Sequence, residues 1–129
     1  MMDISTLINI VSVILLIWFA YTRFGPIRGL RTLRDEDFRK EIESSSNRVL
    51  VDVREPHEFK GGYIPGAKNI PLSQFNRRLA EIPQDKDVLL YCRSGMRSKQ
   101  AARMLGKKGY SKLAHLQGGI SAWSGKLSK

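Results

Sequence analysis

An α/β domain with a parallel sheet flanked by helices, preceded by one transmembrane helix, is the architecture that three features of this 129-residue chain predict. Short apolar runs, VLVDV at Val49–Val53, VLLY at Val88–Tyr91 and LAHL at Leu113–Leu116, alternate with segments of helical period. These runs lack the strict in–out alternation of a half-exposed strand, as expected where helices cover both faces of a parallel sheet. The third feature is a stretch without charge, ISTLINIVSVILLIWFAY, from Ile4 to Tyr21.

At helical rise this stretch is about 27 Å long, close to the ~30 Å hydrocarbon core of a bilayer. Trp18 and Tyr21 lie where interfacial aromatic residues sit. A cleaved signal peptide fits poorly, because no basic residue precedes the run and no small-x-small site follows it. A buried core helix would need an amphipathic face, which the pattern lacks. Asp3 is the only charged side chain before the run, whereas Arg23, Arg28, Arg31 and Arg34 follow it with no acid among them. Basic residues beside a span stay in the cytoplasm, so the remainder of the chain is expected on that side. A lone cysteine agrees, since the cytosol keeps thiols reduced. The formal net charge of +10 comes from lysines and arginines spread along the chain, without zinc-ligand spacing or an RNA-binding signature. Membrane lipids are therefore the expected partner of the basic flank, and nucleic acid is not; each such residue contributes about 1 kcal/mol near an anionic surface.

Residues 22–32 form a short basic linker punctuated by Gly25-Pro26. Asp35 is placed to cap a helix, with Glu36 and Asp37 in its first turn and Phe38 and Ile42 on one face. Ser44–Asn47 breaks it before the first strand. Gly61–Pro71, with its glycines and prolines, reads as loop with a short strand near Ile70. Ser73–Ile82 reads as a helix with Phe75, Leu79 and Ile82 on one face. Pro83–Asp85 turns into the second strand. A helix from about Ser98 carries Ala101, Met104 and Leu105 inward and stops at Gly109. Gly118-Gly119 follows the third strand and leads into a final short helix holding Trp123.

Cys92 thus falls at the carboxyl end of a buried strand and before the amino end of a helix. Ligands of open α/β sheets bind at that edge. Unpaired amides of a first helical turn favour an anion, and their field favours a thiolate. Arg93 and Arg97 add positive charge in the same loop, and Gly95 allows the chain to curl so that its amides point inward. A cysteine serving only as a small apolar residue belongs inside a strand rather than beside two arginines.

DVREPHEFKGGYIPGAKNIP (Asp52–Pro71), YCRSGMRS (Tyr91–Ser98) and LQGGISAW (Leu116–Trp123) together resemble a single rhodanese-like domain, a resemblance covering Leu33–Leu127. It implies a sulfurtransferase whose cysteine takes a sulfane sulfur from a small anionic donor such as thiosulfate, holds it as a persulfide and passes it to a thiol or cyanide. Matched residue by residue, the nucleophile falls on Cys92, and the substrate-binding loop comprises Arg93, Ser94, Gly95, Met96, Arg97 and Ser98. Asp52 and Arg54 resemble the strand-end pair that braces the active loop, while Gly118 and Gly119 permit close backbone approach beside it. Tyr63 departs from the family, which often has histidine there. No metal or other cofactor is expected, and neither His57 nor His115 is assigned a role, since a pre-formed thiolate needs no base.

Two other readings use the same residues. A phosphatase or arsenate reductase of this fold needs five residues between cysteine and arginine, whereas four separate Cys92 from Arg97. The other alternative is a membrane-tethered, non-catalytic interaction module of the same fold, against which the presence of Cys92 together with its arginines argues.

Overall fold

The computed structural model describes residues 1–27 and 29–129; Arg28, counted above in the basic flank, lies outside the described residues. Five strands form one parallel sheet: β1 (Leu30–Leu33), β2 (Arg48–Asp52), β3 (Lys68–Asn69), β4 (Asp87–Tyr91) and β5 (Leu113–Leu116). Their spatial order is β1-β5-β4-β2-β3, which puts β4 at the centre.

Both faces of β4 are covered, which explains its uninterrupted apolar sequence. Val88, Leu90 and Cys92 join Val51, Val53 and Leu113 on one face, packed against Ala101, Ala102 and Leu105 of helix α4 (Met96–Lys107). Leu89 and Tyr91 point the other way, with Leu50, Ala114 and Leu116, toward Phe38 of helix α2 (Asp35–Ser44). Side chains alternate between faces with period two, so adjacent residues of one strand feed two separate cores.

Helix α1 (Ile4–Phe24) precedes the sheet. Asp3 caps it by accepting the Thr6 N–H at 2.9 Å. Nothing in Ile4–Arg23 is buried against the rest of the protein, and this helix is long and apolar enough to cross a membrane. At its far end Arg103 of α4 donates to the carbonyls of Thr22 and Gly25, at 2.9 and 3.2 Å.

Several boundaries differ from those read in the sequence. Helix α1 runs on through Phe24, and Leu30–Leu33 is an edge strand, so the expected linker of residues 22–32 contracts to a few residues. Asp35 is the first residue of α2 rather than its cap; Arg34 takes the cap position, and the Asp35 carboxylate accepts the Ser124 N–H at 3.1 Å. The expected helix at Ser73–Ile82 is two 3₁₀ segments, Leu72–Gln74 and Asn76–Glu81, with Arg78 off helical geometry at φ −114°. Phe75 and Ile82 are nevertheless buried. Helix α4 begins two residues before Ser98. Trp123 follows a 3₁₀ turn, Gly119–Ala122, and meets the Phe38 ring edge-on with centroids 6.4 Å apart.

Candidate functional site

Strand β4 ends at Tyr91 and α4 begins at Met96, so Cys92–Gly95 is the whole of the connection. The cysteine is buried, and its Sγ accepts the Gly95 N–H at 2.9 Å. That bond needs Gly95 at φ +108°, a conformation costly for any residue with a Cβ. The amides of Met96, Arg97 and Ser98 occupy the first turn of α4, where helix geometry leaves N–H groups without internal partners.

The turn after β5 closes over the outside of this loop. Ile120 N–H donates to the Cys92 carbonyl at 2.8 Å and Ser121 N–H to the Arg93 carbonyl at 3.2 Å. Gly119 makes the approach possible: a Cβ there would lie 2.4 Å from the Arg93 carbonyl carbon and oxygen. Gly118, at φ +76°, sets up the turn.

Arg97 does not point into an open anion site. Its two terminal nitrogens donate to both carboxylate oxygens of Glu58, at 2.7 and 2.9 Å. Glu58 belongs to helix α3 (Pro56–Lys60) and also accepts the Glu55 N–H at 3.1 Å. The Arg97 guanidinium, first among the causes, holds the Glu58 carboxyl down to about 2. Arg93, Ser94 and Met96 are exposed.

Asp52 and Arg54 form a buried pair, with Arg54 Nη2 2.8 Å from Asp52 Oδ2. The guanidinium also donates to the Gly62 carbonyl at 2.7 Å and lies over the Tyr91 ring, 5.9 Å from its centroid. Tyr91 Oη accepts the Ile64 N–H at 3.0 Å. This pair thus fastens the segment after α3 to the sheet and reaches the Cys92 loop through Tyr91 and through the charge of Glu58.

Behind the cysteine lies a polar row that runs from buried groups to the edge of the sheet. Ser98 Oγ is 3.7 Å from Cys92 Sγ and 2.9 Å from His115 Nδ1, and His115 Nε2 is 3.1 Å from Thr32 Oγ1. Ser98 Oγ also donates to the Gly95 carbonyl at 3.0 Å. Burial first, and then the charge of Lys99, lower the His115 pKa, which favours the neutral ring.

A family model described as "Rhodanese-like domain" matches residues 35–126. The chain belongs to this family. It is 47% identical over 100 residues to the uncharacterized protein YqhL of Bacillus subtilis, covering 78% of this chain and 77% of that one. It is 42% identical over 89 residues to a sulfurtransferase of Allochromatium vinosum, covering 69% and 83%. Its fold is similar to that of a rhodanese-related protein from Thermoplasma volcanium, at 28% identity and a TM-score of 0.69, over 76% of this chain and 97% of the other.

Within this rhodanese-like domain the structure brings Cys92, Gly95, Ser98 and Gly119 to one place, with Arg97 directly beside it. Asp52 and Arg54 stand farther back. Glu58, Thr32 and His115 are the residues that sequence reasoning passed over. Glu58 stands three residues after Glu55, a spacing that signals a helix cap but not an ion pair with a distant loop. His115 is on the same face of β5 as Leu113, the face that α4 covers, and that parity was the available signal.

Proposed function

We propose that this chain is a membrane-anchored sulfurtransferase of the rhodanese type, with Cys92 as its sulfur carrier and the apolar helix as its anchor. The observation that carries this reading is the Cys92 sulfur, 2.9 Å from the Gly95 N–H in a four-residue connection at the positive end of α4. Its membership of the family and its similarity to a protein named as a sulfurtransferase support the same chemistry.

In the first step the Cys92 thiolate attacks the outer sulfur of thiosulfate. The sulfur–sulfur bond of the donor breaks, and sulfite leaves with the bonding pair. In the second, cyanide or a thiolate attacks the outer sulfur of the persulfide, and Cys92 departs as thiolate. Loop amides and the exposed Arg93 receive the anionic donor and the leaving sulfite. Arg97, held by Glu58, keeps the loop in shape and adds a more distant positive charge. Because Cys92 is buried, admission of the donor requires the exposed residues Arg93, Ser94 and Met96 to shift outward.

Intact-mass analysis of the detergent-solubilised protein tests the assignment. Thiosulfate should add the mass of one sulfur atom, and cyanide should remove it with release of thiocyanate. Aryl phosphates should remain unhydrolysed, because the short loop leaves less room for a tetrahedral oxyanion. A Cys92→Ser protein that makes thiocyanate at the wild-type rate overturns the proposal.

A further inference from the structure

We propose that Ser98, His115 and Thr32 form a proton exit for Cys92, leading from the buried thiol to solvent at the edge of the sheet. The inference deepens the sulfurtransferase reading and rests on it: a buried thiol must lose a proton before it attacks a donor. The groups on the loop side of Cys92 cannot take that proton. Gly95 N–H and the Arg97 guanidinium are donors only, and the Glu58 carboxylate is held by Arg97 and well below the usual carboxylate range. Ser98 Oγ is the acceptor that the thiol reaches, at 3.7 Å, a distance open to sulfur.

From Ser98 the row continues without a gap. Ser98 Oγ lies 2.9 Å from His115 Nδ1, and His115 Nε2 lies 3.1 Å from Thr32 Oγ1. Cys92, Ser98 and His115 are buried, whereas Thr32 is exposed on the edge strand β1. Three neighbouring elements meet the imidazole: α4 through Ser98 and the charge of Lys99, β1 through Thr32, and β4 through Cys92 behind Ser98. A neutral imidazole accepts at one nitrogen and donates at the other, which is what a relay requires.

The steps balance within the row. For the transfer Ser98 turns its hydrogen from the Gly95 carbonyl to Nδ1, so that the thiol donates to Ser98, Ser98 to Nδ1, Nε2–H to Thr32, and Thr32 to water. The S–H bond breaks as its proton passes to Ser98 Oγ, while the former Ser98 proton moves to Nδ1. The Nε2 proton moves to Thr32 Oγ1, and the Thr32 proton goes to water. No electron is transferred and no side chain is left charged except the thiolate. Afterwards every hydrogen bond in the row runs in the opposite direction. Ser98 now donates to the thiolate, His115 Nδ1–H to Ser98, and Thr32 to Nε2. The Gly95 carbonyl, 3.0 Å from Ser98 Oγ, competes for the same hydrogen, but a charged acceptor draws it more strongly than a neutral one. His115 and Thr32 are thus positioning residues that act on the sulfur through Ser98.

The test is the rate of Cys92 alkylation by iodoacetamide as a function of pH, in the full-length protein in detergent. Removing a hydrogen bond that supports a charged group, by His115→Leu, should slow alkylation at neutral pH by about tenfold and move the midpoint of the profile upward. His115→Asn, whose amide nitrogen can donate to Ser98 but cannot accept its proton, should bring the midpoint back without restoring the rate. Recovery of both would show a static hydrogen bond and overturn the relay. Thr32→Val, at an exposed position, should shift the profile in the same direction by a smaller amount. If His115→Leu fails to fold, Thr32→Val and His115→Asn decide the matter by the same readout. Wild-type profiles in His115→Leu and Thr32→Val overturn the relay, and so does a shift confined to Ser98→Ala, which would show that Ser98 acts alone. Alkylation needs no sulfur donor, so a protein that shows these shifts yet makes no thiocyanate retains the relay and loses the sulfurtransferase assignment.

Discussion

Arg97 and Glu58, thirty-nine residues apart in sequence, meet as a two-point ion pair with both guanidinium nitrogens on both carboxylate oxygens. The pair joins the first turn of α4 to α3. A planar fork of this kind sets direction as well as distance, and a lysine ammonium cannot reproduce it. Arg97→Lys should therefore lower kcat/KM for thiosulfate almost as far as Arg97→Ala does, both by about tenfold or more. Steady-state kinetics checks this; full activity in Arg97→Lys would show that only the positive charge matters.

The same pair predicts a pH dependence of stability. Glu58 is held at about 2 in the folded protein, against an ordinary value of 4.5. Folding therefore favours the carboxylate. The contribution is complete above about pH 4.5 and is lost as pH falls through the folded value near 2. With the Arg97 side chain 32% exposed, solvent screens the pair and its worth is about 1 kcal/mol. The stability difference between wild type and Glu58→Gln should be constant above about pH 5 and shrink toward pH 2. Urea denaturation across that range measures it, and a difference that grows on acidification would contradict the sign.

Gly119 offers a test of the close approach behind the loop. Its backbone is at φ +63°, and an added Cβ would meet the Cys92 and Arg93 carbonyl groups at 2.4–2.5 Å. Backbone cannot yield as a flexible side chain does. Gly119→Ala should destabilise the domain by about 2 kcal/mol or more. Gly66→Ala is the control, with φ +89° but nothing within 4 Å of the added atom. It should show the conformational cost alone, about 1 kcal/mol. Equal losses at the two positions would mean that crowding at Gly119 contributes nothing.

The central strands were legible in the sequence because burial on both faces forces continuous apolar runs, as in Val88–Tyr91. The address of Cys92 followed from the same logic, since a strand end and a helix start bracket it. Edge strand β1 was not legible: Leu30–Leu33 is four residues long, has arginines within and beside it, and is read correctly only with β5 alongside. The split of Ser73–Ile82 into 3₁₀ segments was hidden for a different reason. Buried Phe75 and Ile82 satisfy helical spacing whether the turns are tight or ordinary. Long-range polar partners were the least legible of all. Arg97 with Glu58, and Ser98 with His115, depend on how α3, α4 and β5 pack, and no local pattern encodes that packing.

The last prediction concerns placement in the cell. Helix α1 has the length and composition to span a bilayer, and none of Ile4–Arg23 is covered by the rest of the protein. An apolar surface of that size is stable in lipid and unfavourable in water. Arg23 in its last turn, and Arg31 and Arg34 beyond it, come without an intervening acid, which predicts that the domain faces the cytoplasm. The bonds from Arg103 to Thr22 and Gly25 hold α4 against the end of this helix, so in a membrane-inserted protein the cysteine loop should lie near the lipid surface rather than on a long tether. A membrane-embedded sulfur donor or acceptor would then have access to it. The full-length protein should remain in the membrane pellet after alkaline carbonate extraction. Because Cys92 is buried, orientation is best read from new thiols at exposed positions in a Cys92→Ser background. Lys129→Cys should resist a membrane-impermeant maleimide in intact cells and react after lysis, whereas Met2→Cys should react in both. The opposite pattern would place the domain outside the cytoplasm, and release by carbonate would mean that the helix does not span the membrane.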